Sequence, residues 1–120
     1  MTLALYQRLG EAKGISQLVD DVMAAHLANP VIKTRFENIK DLDRAKRMAR
    51  EFFAAGSGGP EPYTGKDMVA AHKGMNISEQ EYLAATDDIL GAMDKNKCDA
   101  ETKKDVLAII YSLKNHIMRM

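Results

Sequence analysis

Apolar residues recur three and four positions apart along nearly the whole chain, and almost no stretch alternates in the manner of a strand. This spacing places apolar side chains on one face of successive helices. Glycine and proline interrupt it most densely in GSGGPEPYTG, residues 56–65, which predicts a shaped loop. A chain of 120 residues can bury one core but not two. The pattern therefore predicts one all-α domain over residues 1–120, packed as a crossed-helix sandwich.

Local signals predict the helix boundaries of the first half. A short helix is expected over residues 3–9, ended by Gly10, and Gly14 opens a second helix over residues 15–28. The apolar face of that second helix would hold a set of inward residues: Ile15, Val19, Val22, Met23 and His26. A short turn is expected over residues 31–36.

In the second half, the boundaries rest mainly on capping residues. Asp41 precedes an amphipathic stretch, and Ser78 stands three residues before Glu81 as in a capping box. The expected elements are a helix after Asp41, a short helical turn over residues 68–73, a helix from Ser78 to about Lys95, and a last helix from Asp99 toward Met118.

The charge balance bears on partners and location. There are 17 basic and 17 acidic residues, so the formal net charge gives no support for a nucleic-acid or anionic-membrane partner. No apolar run approaches the roughly 20 residues that a membrane-spanning helix needs. The single cysteine, Cys98, cannot form an internal disulfide, and the N-terminus does not resemble a signal peptide. A cytoplasmic, monomeric protein with a small-molecule role is expected.

Several kinds of site are disfavoured by the motifs. The segment GSGGPEPYTGK lacks the Lys-Ser/Thr ending of a phosphate-binding loop and does not follow a strand. The three histidines, at positions 26, 72 and 116, are too widely spaced for a structural zinc site with the one cysteine. Cys98 lies in the polar turn DKNKCD, where a solvent-facing thiol is expected rather than a catalytic nucleophile.

His72 lies in the apolar segment MVAAHKGM, residues 68–75, and has two interpretations. An isolated histidine on an apolar face is commonly a packed core residue. Haem, however, needs only one proximal imidazole and a large apolar slot. Near the end of a short helix, one ring nitrogen of His72 could donate to the carbonyl of Met68 and leave the other for iron.

The segment EFFAAGSGGPEPYTGKDMVAAHKGMNIS, residues 51–78, resembles group I truncated haemoglobins. The order of features agrees along essentially the whole chain, from LYQRLG and GISQLVDDVMAAHLANP through Phe36 and the Phe52-Phe53 pair to the loop and His72. The resemblance implies the two-over-two helical sandwich of shortened globins, with haem b held between two helix pairs.

By position, the resemblance makes His72 the proximal iron ligand and places Phe36 on the haem face opposite it. Phe53 matches a gas-channel position in some relatives, although a core aromatic is the plainer interpretation. Gly58 and Gly59 let the loop swing from the distal to the proximal side. Arg44 and Arg47 are candidates for pairing with the haem propionates. The remaining haem-lining matches are Phe52, Tyr63, Met68, Ile77 and Tyr82.

The distal side departs from the family pattern. Met23 stands where oxygen-holding relatives commonly have tyrosine, and Ala45, Met48 and Ala49 occupy distal-helix positions that often carry a polar or ligating residue. A mostly apolar distal pocket is therefore expected, which would hasten release of oxygen because no hydrogen bond retains it.

Three residues leave alternatives open near the iron. Met48 is a possible distal iron ligand through its thioether, or simply a packing residue. His26, one turn beyond Met23, is either a second candidate for the distal space or a core histidine. His116 falls about one residue from a position that links covalently to haem in certain cyanobacterial relatives, and an exposed side chain is expected.

Two haem functions and one other class remain open from the sequence. The first is reversible binding of diatomic gases (oxygen, nitric oxide, carbon monoxide), with nitric oxide detoxification, aided by a reductase, as a further possibility. The second is a six-coordinate redox or electron-transfer protein with Met48 as distal ligand. The third is a helical interaction domain whose apolar groove receives a partner helix.

Overall fold

The computed structural model describes residues 3–119 and forms eight helices within that range, joined by short loops. They are α1 (Leu5–Arg8), α2 (Glu11–Ala28), α3 (Lys33–Glu37), α4 (Leu42–Gly56), α5 (Met68–His72), α6 (Glu79–Lys95), α7 (Ala100–Ser112) and α8 (Lys114–Ile117). The β-structure of the described residues is one isolated bridge between Ile77 and Met118. The all-α prediction is confirmed.

Two helix pairs form the body of the fold. Helix α2 packs on α4, α6 packs on α7, and contacts of α2 with α6 join the two pairs. The largest fully buried apolar side chains come from α2 and α6, namely Ile15, Leu18, Val19 and Met93. All of the predicted inward residues of α2 are buried. The core therefore lies between the pairs, as the apolar spacing predicted.

The predicted caps begin three of the longer helices. Asp41 accepts a hydrogen bond from the Arg44 amide, and Asp99 accepts one from the Thr102 amide. Ser78 accepts from the amide of Glu81, whose carboxylate accepts from the Ser78 amide in return. These local bonds satisfy amides that have no partner within the helix, so the starts of these three helices could be predicted from a few residues of sequence.

The prediction that Gly14 opens the second helix was wrong by one turn, because α2 begins at Glu11. Gly10 has a φ of 91°, in the left-handed region, and breaks the chain there. Gly14 then lies inside α2 at a close approach to α1, since a Cβ at Gly14 would stand 2.2 Å from the carbonyl oxygen of Leu9. Glycine at position 14 is thus required by packing between α1 and α2 rather than by a helix start.

The prediction of one last helix running to Met118 was also wrong. The chain breaks at Leu113, whose amide shares its hydrogen bond among carbonyls of the last turn of α7. The short helix α8 then packs against α5, and the Arg119 amide donates to the Ile77 carbonyl at 3.0 Å. The C-terminal segment therefore closes against the loop that follows His72.

Cys98 is half-buried and packs against the core cluster, so the predicted solvent-facing thiol was wrong. Its amide donates to the Met93 carbonyl at 2.9 Å at the end of α6, which turns the side chain inward. Burial raises the pKa of the thiol, and the neighbouring Asp99 and Asp94 raise it further.

Candidate functional site

A cavity of about 500 Å³ lies between the two helix pairs, with α5 and α8 at one side. This size falls within the range of roughly 300–1,000 Å³ that is typical of cofactor sites. The walls are mostly aliphatic and aromatic. The apolar lining residues include Leu5, Leu9, Ile32, Phe36, Ile39, Phe52, Phe53, Met68, Met75, Ile77, Ala85, Ile89, Val106, Ile109, Ile110, Leu113 and Ile117.

His72 is the last residue of α5 and lines this cavity. Its Nδ1 lies 2.8 Å from the carbonyl oxygen of Met68, as the sequence predicted. Because a carbonyl only accepts, the Nδ1 nitrogen must carry the hydrogen, and Nε2 keeps its lone pair. Asp67 caps α5 by accepting from the Ala70 amide at 2.7 Å, which fixes the one turn that holds the imidazole.

Six residues predicted from the sequence meet at the cavity: Phe36, Phe52, Met68, His72, Ile77 and Tyr82. They come from α3, α4, α5, the loop after α5, and α6, so the fold brings together positions far apart in the chain. The Tyr82 hydroxyl donates to the Ile110 carbonyl, and burial raises the pKa of this phenol. Phe53, expected to be a core aromatic, packs on the core cluster and also lines the cavity.

Four other predicted site residues are not among the lining residues. Tyr63 donates from its hydroxyl to the Lys66 carbonyl at 2.6 Å and meets the Phe52 ring edge-on. The sulfur of Met48 packs against Gly65, where a Cβ would stand 2.8 Å from it. Arg47 is exposed and pairs with Glu51 at 3.2 Å, and Arg44 is exposed.

The loop after α4 is attached to that helix through Glu51. The Glu51 carboxylate accepts from the amide and the hydroxyl of Thr64, at 2.8 and 2.6 Å. These two bonds, followed by the bond from Arg47, lower the pKa of Glu51. Tyr63 and Met48 therefore belong to the packing of this loop on α4.

An ion pair in the cavity wall was missed by the sequence reasoning. Arg35 of α3 makes two hydrogen bonds to Glu81 of α6, one of them 3.1 Å long. Hydrogen bonding from Arg35, aided by Ser78, lowers the pKa of Glu81 to about 2. Glu81 was predicted only as part of the capping box, and a contact between residues so far apart in sequence leaves no local signal.

His26 provides the second imidazole in the cavity wall. The residue is buried, with 6% of its surface exposed. Its Nδ1 lies 2.8 Å from Oδ2 of Asp88 in α6, and its ring stacks on Phe36 with centroids 4.5 Å apart. The sequence left His26 open between a distal and a core position. In the structure, His26 is buried, as a core histidine would be, and it also lines the cavity.

The distal positions inferred from the family pattern lie outside the lining. Met23 is buried, and Ala49 packs against the core cluster, but neither they nor Ala45 line the cavity. His116 is exposed, as expected, on the short helix α8.

The donor set suits haem better than a bare metal ion. Within residues 3–119 no group of three or more His, Cys, Asp or Glu side chains is placed to hold a metal. One imidazole with a free Nε2 in a large apolar cavity is instead what an iron porphyrin requires. The residues present therefore fit the cofactor that the resemblance implied.

Comparisons with known proteins agree with this geometry. The family model described as bacterial-like globin matches residues 4–119. A group 1 truncated haemoglobin of Tetrahymena pyriformis is 32% identical over 114 residues, with 86% of this chain and 93% of that protein covered. One from Mycolicibacterium paratuberculosis is 28% identical over 110 residues, with 92% and 80% covered.

Solved structures give the same result for the fold. The truncated haemoglobin of T. pyriformis in its Fe(III) form superposes with a TM-score of 0.93 at 23% identity, covering 98% of this chain and all of that one (100%). A Synechococcus 2/2 haemoglobin with covalently attached haem has a TM-score of 0.85 at 21% identity, covering 95% and 94%. Across the part of the chain that the structure describes, no helix is both long and apolar enough to span a membrane.

Proposed function

The chain belongs to the bacterial-like globin family and is a truncated haemoglobin, and from this premise we propose that it binds haem b and, reversibly, diatomic gases. Oxygen, nitric oxide and carbon monoxide are the proposed ligands. The proximal iron ligand is His72. Membership of the family implies haem-based gas binding in general, and the residues of this chain support the more specific assignment.

One observation supports the proposal most strongly. The imidazole of His72 has its Nδ1 hydrogen committed to the Met68 carbonyl, and its Nε2 is free within a wall of apolar side chains. A proximal histidine held by a backbone carbonyl is fixed in tautomer and in orientation, so its ligating nitrogen is presented without further rearrangement. A core histidine would need no cavity of this size beside it.

The other lining residues have roles that follow from their chemistry. Phe36 and Phe52 offer flat aromatic surface to a planar ring, and Ile77 and Met68 fill the space around His72. Together they exclude water, which protects a bound ferrous iron from oxidation. The haem iron supplies the coordination site for the gas. Haem b, held without a covalent link, is proposed because His116 is exposed and outside the lining.

The alternative of a six-coordinate redox protein with Met48 as distal ligand is less well supported. The Met48 sulfur packs against Gly65 and lies outside the lining, so ligation would require α4 or its loop to move. Arg44 and Arg47 are exposed and lie outside the lining, so their pairing with the propionates remains a prediction. Nitric oxide detoxification, a reductase partner, a monomeric state and a cytoplasmic location remain predictions.

The test is the visible spectrum of the purified protein, reduced, with and without carbon monoxide. The proposal predicts a Soret band that shifts sharply when the gas is added and returns when it is removed. A five-coordinate reduced spectrum would favour His72 as the only protein ligand. Gas binding would be refuted if the protein took up no haem when supplied with it, or if carbon monoxide left the reduced spectrum unchanged.

A further inference from the structure

The imidazole of His26 is anchored by a half-buried carboxylate on the opposite helix pair. Its Nδ1 lies 2.8 Å from Oδ2 of Asp88, and the side-chain amide of Asn29 donates to both oxygens of Asp88, at 3.1 and 3.2 Å. The carboxylate can only accept, so the Nδ1 nitrogen carries the hydrogen. In the neutral imidazole, Nε2 is therefore a lone-pair acceptor.

The Nε2 atom of His26 faces the cavity. Among residues 3–119, Nε2 has no hydrogen-bond partner. In that range, every side-chain nitrogen or oxygen that lacks accessible surface does have a partner, so Nε2 must have accessible surface. Since His26 is buried and lines the cavity, the accessible surface of Nε2 opens into it. Phe36 covers one face of the ring at 4.5 Å and 24°, which fixes its plane and leaves its edge free.

The other polar groups of the cavity wall are already engaged. The hydroxyls of Ser57, Tyr82 and Thr86 each donate to a backbone carbonyl. The remaining charged groups facing the cavity, Arg35 of α3 and Glu81 of α6, bond to each other. With His72 on the iron, Nε2 of His26 is the one uncommitted basic nitrogen that the lining residues provide.

Burial lowers the pKa of His26, and Asp88 acts in the opposite direction. The imidazole is thus neutral near pH 7 and able to take up a proton. When it does, the charge forms beside a carboxylate that Asn29 already holds in place, which stabilises the imidazolium. An acceptor of this kind offers no hydrogen bond to oxygen or carbon monoxide, which carry no proton.

We propose that His26 accepts the proton of small weak acids that enter the cavity and bind ferric iron as anions. This inference rests on the proposed haem site. Hydrocyanic acid and hydrogen sulfide are the simplest members of this class. The bond between hydrogen and the acid's carbon or sulfur breaks, and its electron pair stays on the anion. The proton moves to Nε2, and no electron is transferred. Asp88 is a positioning residue that holds the imidazole and stabilises its charged form.

The experiment compares two ligands in the haem-loaded protein. The rate of cyanide binding to the ferric protein is measured from pH 5 to 9, and carbon monoxide binding to the ferrous protein serves as the aprotic reference. The variants are His26→Gln, which keeps a polar side chain but takes up no proton, and Asp88→Asn. His116→Gln, on the exposed histidine, is the matched control.

His26→Gln should slow cyanide binding near pH 7 by about tenfold or more, the scale of positioned proton transfer. The pH dependence assigned to His26 should vanish, while carbon monoxide binding stays within about twofold. Asp88→Asn should slow cyanide binding by a smaller factor, and His116→Gln should change nothing.

Unchanged cyanide binding in His26→Gln, or an equal loss for both ligands, would overturn the inference while leaving the haem site intact. If His26→Gln fails to fold, the decision falls to Asp88→Asn and to a titration of the His26 ring by NMR in the wild-type protein. A ring that shows no coupling between its protonation and cyanide binding would also overturn it. A wild-type protein that binds no haem refutes the proposed function itself.

Discussion

Arg35 of α3 and Glu81 of α6 form an ion pair in the wall of the cavity. The Glu81 carboxylate also accepts a hydrogen bond from the Ser78 amide, just before the start of α6. One carboxylate thus joins the short helix α3 to the cap of α6. Hydrogen bonding from Arg35 lowers the pKa of Glu81 from 4.5 to about 2. The lowered value means that the folded protein favours the charged carboxylate.

Glu81→Gln should lower the free energy of unfolding by about 1 kcal/mol at pH 7. Because the folded pKa lies below the unfolded one, this contribution is present above about pH 4.5 and is lost as pH falls toward about 2. Urea unfolding at several pH values measures it. Glu61→Gln, at an exposed loop carboxylate, is the control, and curves for Glu81→Gln that stay parallel to wild type down to pH 2 would contradict the account.

Burial is the main cause that lowers the pKa of His26, so this residue should also make stability depend on pH, in a higher pH range than Glu81. The unfolded chain takes up a proton near pH 6.5 before the folded protein does, so stability should fall as pH drops below about 6.5. In His26→Gln this slope should flatten between pH 7 and pH 5. Thermal unfolding across that range measures the effect, and an identical slope in the variant would show that His26 does not titrate differently on folding.

The parts of the fold that could be predicted from sequence rest on short-range physics. Asp41, Ser78 and Asp99 each satisfy the amide three residues away, so each cap is visible in a few letters of sequence. The role of Gly14 depends instead on its close approach to Leu9, and the break at Leu113 accompanies the packing of α8 against α5. Tertiary contacts of this kind leave no local pattern, and both boundaries were missed.

Gly14→Ala should be strongly destabilising, because the added Cβ would stand 2.2 Å from the carbonyl oxygen of Leu9. Relief requires moving the backbone at Leu9, the residue that follows α1, at a cost of about 3 kcal/mol. Gly91→Ala is the matched control, since Gly91 is an exposed residue within α6 with no atom within 4 Å of an added Cβ.

Gly91→Ala should stabilise by about 1 kcal/mol through helix propensity alone. Melting temperatures by circular dichroism measure both changes. Two variants that shift in the same direction by similar amounts would show that the contact with Leu9 does not constrain position 14.

Cys98 should react slowly with iodoacetamide in the folded protein, because burial raises the pKa of its thiol and lowers the fraction of thiolate. Mass spectrometry at pH 8 measures the rate, with the urea-unfolded chain as the reference. The folded protein should react several-fold more slowly. Equal rates would place the thiol in solvent, as the sequence had suggested.

Part of the candidate site could be predicted from the resemblance to a known family, which gave roles to individual positions of this sequence. One cavity is lined by residues to which the resemblance gave haem-site roles: His72, Phe36, Phe52, Met68, Ile77 and Tyr82. Met48 and Tyr63 were placed by the same reasoning and instead pack with the loop around Gly65, because side-chain direction depends on the loop's own bonds. The pairing of His26 with Asp88 joins residues 62 positions apart and had no signal in the sequence.

The most direct test of the central claim is a haem titration of the apoprotein of His72→Gly beside wild type, with and without added imidazole. The account predicts stoichiometric uptake by wild type, a large loss of affinity in His72→Gly, and recovery of the five-coordinate ferrous spectrum when free imidazole replaces the missing ring. Uptake by His72→Gly with the wild-type affinity and an unaltered ferrous spectrum would show that His72 does not hold the iron.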